Sequence, residues 1–200
     1  MVPKLKLTKR KAQAQKTKKT IYKVAMQLMN KKGFNNTTIE EISKKAHVSV
    51  GTFYLYYKSK DDIFFELYHK ADVYFKNEVS RQLAEKNSLD QIMVFFKCYA
   101  KYNYERGLDA ISQLYNTKNK LFIAKGRYMG LLLEKIIETG QEKKELILHM
   151  TPQSIADYLF IMARGTVYDW CLHDGDYDLE EAMTRHIARL LPIFRATLSD

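Results

Sequence analysis

Apolar residues recur at helical spacing along nearly the whole of this 200-residue chain. In the first such segment they fall on one face of a helix, which is formed by Ile21, Val24, Ala25, Leu28 and Met29. Strand signals are weak, because the alternating runs are short and the turn pairs typical of hairpins are missing between them. The Asp174-Gly175 pair joins two helical patterns instead. The chain is therefore predicted to be all-α.

Capping signals divide this pattern into separate helices. Thr38 and Glu41 have the spacing of a capping box and begin a short second helix. Ser49 can cap a third short helix, and Pro192 would kink or end the last helix, because proline lacks an amide hydrogen. After the first helix, the predicted helices lie at about residues 38–46, 50–57, 61–79, 89–105, 109–116, 119–140, 152–172 and 179–198.

The positive charge is confined to the first third of the chain. The whole chain carries a net charge of +10, yet residues 1–60 hold 15 Lys and Arg against 2 acidic residues, which leaves residues 61–200 slightly negative. Such a division is typical of a polyanion-binding part joined to a part that does not bind polyanions. Nucleic acid is the leading candidate, an anionic membrane surface is second, and a basic tail that only aids solubility is the third interpretation.

Composition excludes several other classes of protein. Hydrophobic residues make up 46% of the chain and there are only 3 Pro, as in a packed helical protein. The longest uninterrupted apolar run, Tyr158 to Ala163, is far shorter than the ~20 residues that cross a bilayer. No signal-peptide pattern follows the charged start, so a cytoplasmic protein without membrane contact is expected. Cys98 and Cys171 have no Cys-x-x-Cys partner, so neither a metal site nor a disulfide is predicted.

A helix-turn-helix motif occupies the basic part. Two short helices joined by a tight turn can place the second helix in the DNA major groove; here the turn is residues 47–49 and the recognition helix residues 50–57. Over about residues 15–65 the chain resembles the TetR/AcrR family of one-component transcriptional repressors. The matching residues, in order and at the family's spacing, are Gly33-Phe34, Thr37-Thr38-Ile39, Ile42, Ala46, Val48-Ser49, Gly51-Thr52-Phe53-Tyr54, Tyr56-Tyr57 and Lys58-Ser59-Lys60-Asp61.

Polar and small residues of this motif are the candidate DNA contacts. The small Val50 and Gly51 bring the recognition helix close to the base edges, and Tyr56 is best placed to reach a base. The full set of predicted DNA-binding residues is Thr38, Ser49, Val50, Gly51, Thr52, Tyr54, Tyr56, Lys58 and Lys60. By resemblance, the phosphate contacts, which fix register, come from Thr38, Thr52, Tyr54 and Lys60. Tyr57 is expected to pack, and the apolar contacts within the motif are predicted from Ile42, Val48, Phe53 and Phe64.

The turn and the segment before the motif add two expectations. The family usually has glycine where this chain has His47, so His47 is predicted to adopt a positive φ at some cost in strain. No partner residue favours a pH-switch or metal role for it. Lysines and one arginine precede the motif between residues 4 and 19, where an arm could follow the DNA backbone.

By resemblance, residues 61–200 form a helical ligand-binding and dimerisation domain, and residues 1–60 form the arm and the three-helix DNA-binding domain. The last two helices are expected to form half of a dimer interface, through Ile155, Leu159, Met162, Ile187, Leu190 and Phe194. A pocket with an apolar lining is expected between about residues 89 and 140, lined by Phe95, Tyr99, Tyr102, Tyr115, Tyr128, Arg127 and Met129. The alternative is that most of these aromatic residues belong to a solid core.

The sequence therefore predicts a ligand-responsive transcriptional repressor that binds a palindromic operator as a homodimer and is released by an apolar or aromatic small molecule. No hydrolase, nucleotide-binding or zinc-protease motif is present, so no enzymatic activity and no cofactor are predicted. The alternative function is a basic helical adaptor that binds an anionic membrane or protein. The lysines near the start lack the strongly apolar face that a membrane-surface helix needs, which disfavours that alternative.

Overall fold

The computed structural model describes residues 9–84, 86–115 and 120–196. Within these residues the chain is helical and forms no β-strand, and an isolated bridge pairs Leu146 with Arg195. The α-helices are α1 (Lys9–Lys32), α2 (Ile39–Lys45), α3 (Val50–Tyr56), α4 (Asp61–Tyr74), α5 (Ser80–Gln82), α6 (Ser88–Arg106), α7 (Leu108–Leu114), α8 (Tyr128–Glu142), α9 (Pro152–Leu172) and α10 (Leu179–Leu190). No helix in these ranges combines the length and the apolar character needed to cross a membrane.

The chain divides into two compact units, Met1–Glu66 and Leu67–Asp200. The division falls inside α4, so one continuous helix begins in the first unit and ends in the second. In the first unit α1 packs on α2 and α2 packs on α3. Their shared core consists of buried apolar side chains, chiefly Ile21, Ala25, Met29, Ile42 and Phe53. The side chain of Phe64 lies outside the described part of the structure, and Val48 is half-buried.

Local signals set the ends of the two short helices, as predicted. The Thr38 hydroxyl accepts from the Glu41 amide at 3.2 Å, and the Glu41 carboxylate accepts from the Thr38 amide at 3.1 Å, which completes the capping box. The Ser49 hydroxyl accepts from the Thr52 amide at 3.0 Å at the start of α3. The two short helices therefore begin where their own side chains bind their first free amides.

The second unit is a helical bundle. In it α6 packs on α10, and α9 packs on both α8 and α10. The chain of α4 continues through a π-helical turn, Phe75–Val79, into α5, so the predicted long fourth helix is present with one irregular turn. Phe75 and Val79 in this turn are fully buried, with the Phe75 ring 4.7 Å from the Phe95 ring. The irregular turn therefore keeps its apolar side chains in the core.

Two helix predictions were wrong. The stretch 119–140 is not one helix: a 3₁₀ turn, Lys120–Ile123, is separated from α8 by a turn in which Gly126 has φ +76°. A right-handed helix cannot continue through that backbone conformation. The last helix ends at Leu190 instead of about residue 198, and a 3₁₀ turn containing Pro192 follows it. Proline removes a helical hydrogen bond there.

Candidate DNA-binding surface and ligand cleft

The turn between α2 and α3 holds a strained residue. His47 has φ +55°, as the sequence predicted. The Val48 amide donates to the Ser43 carbonyl at 3.0 Å and closes the turn. A left-handed conformation costs a non-glycine residue about 1–2 kcal/mol, and the buried Ile42 and Phe53 on either side hold the turn in place.

The recognition helix α3 presents a partly apolar outer face. Tyr54 is 53% exposed and Leu55 is 81% exposed, while Val50 is also exposed. Gly51 lies in the first turn with open space around it, since an added Cβ would meet only the Ser49 hydroxyl, at 3.7 Å. Leu55 was not among the predicted DNA contacts, and its exposure on this helix marks it as one; a methyl-bearing side chain there can contact a thymine methyl group.

Four further predicted DNA contacts differ in how their side chains are used. The Ser49 and Thr52 hydroxyls lie 2.9 Å apart at the start of α3, so they already bind each other. Lys58 is exposed and Tyr56 is half-buried. The predicted residues that are exposed on this surface are Thr38, Ser49, Val50, Gly51, Tyr54 and Lys58.

Contrary to the prediction, Lys60 does not lie on that surface. Its ammonium donates to the carbonyl oxygens of Phe34 at 2.8 Å and Thr37 at 2.6 Å, and it lies 4.4 Å from the centre of the Phe34 ring. These contacts join the start of α4 to the loop that follows α1. We therefore correct its role to an internal tether of the first unit.

Tyr57 packs inside the first unit, as expected. Its hydroxyl donates to the Glu66 carboxylate at 3.2 Å, and Lys18 pairs with that same carboxylate at 2.8 Å. Burial raises the pKa of Tyr57 well above its ordinary value, and the neighbouring Glu66 raises it further. The neutral hydroxyl is thus a donor that links α3 to α4.

Basic side chains line α1 ahead of this core. Lys9, Arg10, Lys16 and Lys19 are exposed along the helix. The lysines at positions 4 and 6, which the predicted arm includes, lie outside the described residues. The exposed cations and the outer face of α3 both belong to the first unit.

The second unit contains a cleft of about 560 Å³. Tyr99, Arg127 and Met129, all predicted ligand contacts, line it. A smaller cavity of about 30 Å³, which is the space of about one water molecule, shares Tyr99 and Met129 with the cleft and is also lined by Tyr102 and Tyr115. The cleft residues that were not predicted lie chiefly on the 123–126 segment and on α9, and they include Lys125, Gln153, Asp157 and Phe160.

Two predicted ligand contacts lie elsewhere. Phe95 is fully buried in the core, where its ring lies 5.0 Å from that of Phe96, so it lines neither cavity. Tyr128 lines neither cavity either, and Lys76 lies 6.0 Å from the centre of its ring. Helical spacing identified both as apolar-face residues but could not separate a solid core from a cavity wall.

A pair of hydroxyl groups lies at the smaller cavity, which shares Tyr99 with the cleft. The hydroxyls of Tyr99 and Tyr115 lie 2.7 Å apart, and burial raises the pKa of Tyr99. The Tyr115 and Phe122 rings contact each other at 4.7 Å. An apolar wall with a pair of hydroxyls can hold an apolar ligand and orient it.

The lining of the cleft carries more positive than negative charge. Among the described residues that line it, Lys125, Arg127 and Arg164 are cationic, while Glu134 and Asp157 are acidic. Arg164 donates to the Phe122 carbonyl at 3.0 Å. These cations lie beside an apolar lining, an arrangement suited to a ligand with one apolar and one anionic part.

The family model for bacterial regulatory proteins of the TetR family matches residues 21–67. That segment contains the helix-turn-helix described above and its buried core. Residues 21–67 therefore belong to the TetR family of bacterial regulatory proteins.

Similarity to known proteins extends beyond residues 21–67. The fatty acid metabolism regulator protein of Bacillus subtilis is 27% identical over 183 residues, which cover 86% of this chain and 91% of that protein. The AcrR regulator of Shigella flexneri is 36% identical over 64 residues, 32% of this chain and 30% of that protein. Both relatives are regulator proteins.

Solved structures share the fold. FadR of Thermus thermophilus, solved in complex with lauroyl-CoA, has a TM-score of 0.70 at 23% identity and covers 87% of this chain and 93% of its own. FadR of Bacillus subtilis, in complex with stearoyl-CoA, has a TM-score of 0.60 at 19% identity and covers 86% of this chain and 96% of its own. Both units of this chain therefore adopt folds found in TetR-family regulators.

Four of the predicted interface residues are core residues instead. Ile155, Leu159 and Ile187 are fully buried within the single chain, and Phe194 is 3% exposed. Side chains that are buried within their own chain have no exposed surface with which to contact a partner. Met162 and Leu190 are half-buried. The exposed apolar residues of α9 are instead Tyr158, Ile161, Tyr168 and Leu172.

Proposed function

We propose that this chain is a transcriptional repressor that binds a palindromic operator as a homodimer in the cytoplasm and leaves it when a small molecule binds. The observation that carries the proposal is the exposed outer face of α3, held by a buried core within the segment that matches the TetR family. A recognition helix must be exposed and rigid to enter the major groove. The exposed cations of α1 supply the sequence-independent attraction to phosphate.

Each open residue has a distinct role in this proposal. Tyr54 and Lys58 contact phosphates, since they carry polar groups at the end of exposed side chains. Val50, Gly51 and Leu55 approach the base edges, because small and methyl-bearing side chains let the helix enter the groove closely. The Ser49 and Thr52 hydroxyls fix the start of the helix and are near enough to the surface to bind phosphate together.

The test is selection of DNA by the purified chain from a pool of random duplexes. We expect enrichment of an inverted repeat with half-sites about one helical turn, ~34 Å, apart. The repeat should be lost when Leu55 and Tyr54 are both replaced by Ala. A pool from which no sequence is enriched would contradict the proposal.

The homodimer is proposed to form through the exposed face of α9. Tyr158, Ile161, Tyr168 and Leu172 are spaced by three, seven and four residues, which places them on one side of the helix. A contiguous exposed apolar face of this kind marks an interaction site. A two-fold axis through the face would bring two copies of the same helix together, and the half-buried Met162 and Leu190 extend it.

The small molecule is proposed to be an amphipathic acyl compound of the acyl-CoA type. The apolar wall of the 560 Å³ cleft suits an alkyl chain, and the cations in its lining suit an anionic head. Two similar folds were solved with lauroyl-CoA and stearoyl-CoA, and the Bacillus subtilis relative is a regulator of fatty acid metabolism. Calorimetric titration with lauroyl-CoA tests this class; heat of binding that is absent up to millimolar ligand would contradict it.

A further inference from the structure

One carboxylate on α4 holds the start of α8. The Asp72 Oδ2 accepts from the Arg127 Nε at 3.1 Å, and the Asp72 Oδ1 accepts from the Met129 amide at 3.1 Å. Arg127 is the residue before α8, and its own side chain does not cap that helix. Asp72 therefore supplies from another helix the acceptor that α8 lacks, and it neutralises Arg127 at the same time.

The Asp72–Arg127 pair is shielded from water but not isolated from the cleft. The side chains are only 20% and 16% exposed, respectively, so the pair is little screened by salt. Arg127 also lines the cleft, and so does Met129, whereas Asp72 does not. Arg127 thus contacts the Asp72 carboxylate and also lines the cleft in which a ligand would bind.

Asp72 also lies on the helix that runs into the DNA-binding unit. Helix α4 begins at Asp61, before the division of the chain at Glu66, and Asp72 is in its last turn. The π-helical turn Phe75–Val79 follows directly. Asp72 therefore lies on a continuous helix that begins shortly after the recognition helix in the sequence. A change in the contacts of Asp72 acts on that helix.

We propose that Arg127 is exchanged between Asp72 and an anionic group of the effector, so that the effector competes with Asp72 and releases α4 from α8. This inference rests on the proposed function, since it concerns the same cleft. It adds the regulation of that cleft: Arg127 is the residue that recognises the anion, and Asp72 is a positioning residue that acts through Arg127. The anion is a carboxylate or a phosphate, because both accept from guanidinium in the same way.

This competition changes the affinity for the effector and the affinity for DNA in opposite directions. A ligand changes an equilibrium only through its different affinity for the two states, and the coupling is reciprocal. Loss of the Asp72 charge removes the competitor, so the effector binds more tightly. The same loss frees α4 from Arg127 without any effector, so the DNA binds less tightly and the effector has little left to change.

The experiment uses the full chain and the selected inverted repeat. In Asp72→Asn the side-chain oxygen that accepts from the Met129 amide is kept and the charge is lost. We expect this variant to bind lauroyl-CoA more tightly than the wild type, while the effect of lauroyl-CoA on DNA affinity falls from about 5–150-fold to nearly none. Arg127→Gln is the second variant; it should lose both the tight binding of lauroyl-CoA and the response.

Glu138→Gln is the matched control, because it removes one carboxylate from an exposed ion pair with Lys135 on α8, away from the cleft. It should behave as the wild type. If Asp72→Asn binds lauroyl-CoA more weakly, or keeps the full response to it, Asp72 only supports the fold and the inference is overturned while the proposed function stands.

Laurate and 1-dodecanol identify the group that is recognised. A response to laurate assigns a carboxylate and a response to lauroyl-CoA alone assigns the phosphates of the head; either result supports the exchange at Arg127. A response to neutral 1-dodecanol as large as that to both anions overturns it. A wild-type chain that binds neither anionic probe overturns the proposed effector class together with this inference.

Discussion

At the residue scale, the cations of the DNA-binding unit serve two purposes. Lys60 binds two backbone carbonyls, and Lys18 pairs with Glu66, so both are used within the first unit. Lys58 is exposed, as are Lys44 and Lys45 at the end of α2. Part of the positive charge of residues 1–60 is therefore used in contacts within the unit.

The Tyr54 hydroxyl is expected to bind a phosphate. Tyr54→Phe keeps the ring, which contacts the Phe53 ring edge-on at 5.7 Å, and removes only the hydroxyl. Operator affinity should fall by about 1 kcal/mol with unchanged sequence preference, as measured by fluorescence anisotropy. Tyr104→Phe, an equally exposed tyrosine in the second unit, is the control and should leave DNA affinity unchanged. Normal binding by Tyr54→Phe would assign Tyr54 to packing alone.

Gly140 is required by close packing, in contrast to Gly130 on the same helix. A Cβ at Gly140 would lie 2.8 Å from both the Leu146 Cδ1 and the Ser88 Cβ, whereas one at Gly130 would meet nothing within 4 Å. We expect Gly140→Ala to lower the free energy of unfolding by about 1–3 kcal/mol, because the core is overpacked. Gly130→Ala should raise it by roughly 0.5–1 kcal/mol. Urea denaturation measures both, and equal effects would contradict this packing.

At the scale of elements, α9 has two different apolar faces. One is buried against α8 and α10 through residues such as Ile155, Leu159 and Val167, and the other is exposed. Periodicity predicted the helix and its apolar character, since residues 152–172 are the observed limits. It could not show which face is covered by the chain's own helices, because that depends on the packing of distant segments. The predicted interface residues therefore fell largely on the internal face.

Replacing exposed residues of α9 should separate the proposed dimer. In Tyr168→Glu with Leu172→Glu, two charges would face an apolar partner surface, and side chains that are 49% and 63% exposed in one chain can change without disturbing its core. We expect monomers in sedimentation velocity, with an unchanged helical circular dichroism spectrum. Leu148→Glu, also at an exposed apolar position, is the control and should remain dimeric. A double variant that sediments as the wild type would exclude this face.

Local chemistry explains which elements could be predicted. The caps at Thr38, Ser49 and Thr151 act within four residues, so the sequence alone locates them. The break before α8 depends on the Gly126 backbone and on Asp72, which reaches α8 from another part of the chain. The aromatic residues of the ligand cleft were predicted only in part, again because packing between distant segments decides their positions. Tyr99 and Phe95 lie on one helix, but only the packed structure shows that Tyr99 lines the cleft and that Phe95 lies in the core.

At the scale of the whole molecule, the net charge of +10 should make DNA affinity depend on salt concentration. Counterions are released as phosphates are neutralised, so the logarithm of operator affinity should fall linearly with the logarithm of salt concentration. With about six to ten phosphate contacts, the loss between about 50 and 200 mM salt is expected to be about 10³–10⁵-fold. Binding isotherms at several salt concentrations measure the slope, and a flat dependence would contradict phosphate-dominated binding.

The residues that line the cleft and those that form the helix-turn-helix belong to separate stretches of the chain, 99–164 and 38–60. Substitutions that reshape the cleft therefore leave the surface of α3 chemically untouched, and the reverse also holds. Under selection, the signal that a regulator detects and the genes that it controls can then change in independent steps. A regulator built in this way can acquire a new signal after gene duplication while it still occupies its ancestral operator.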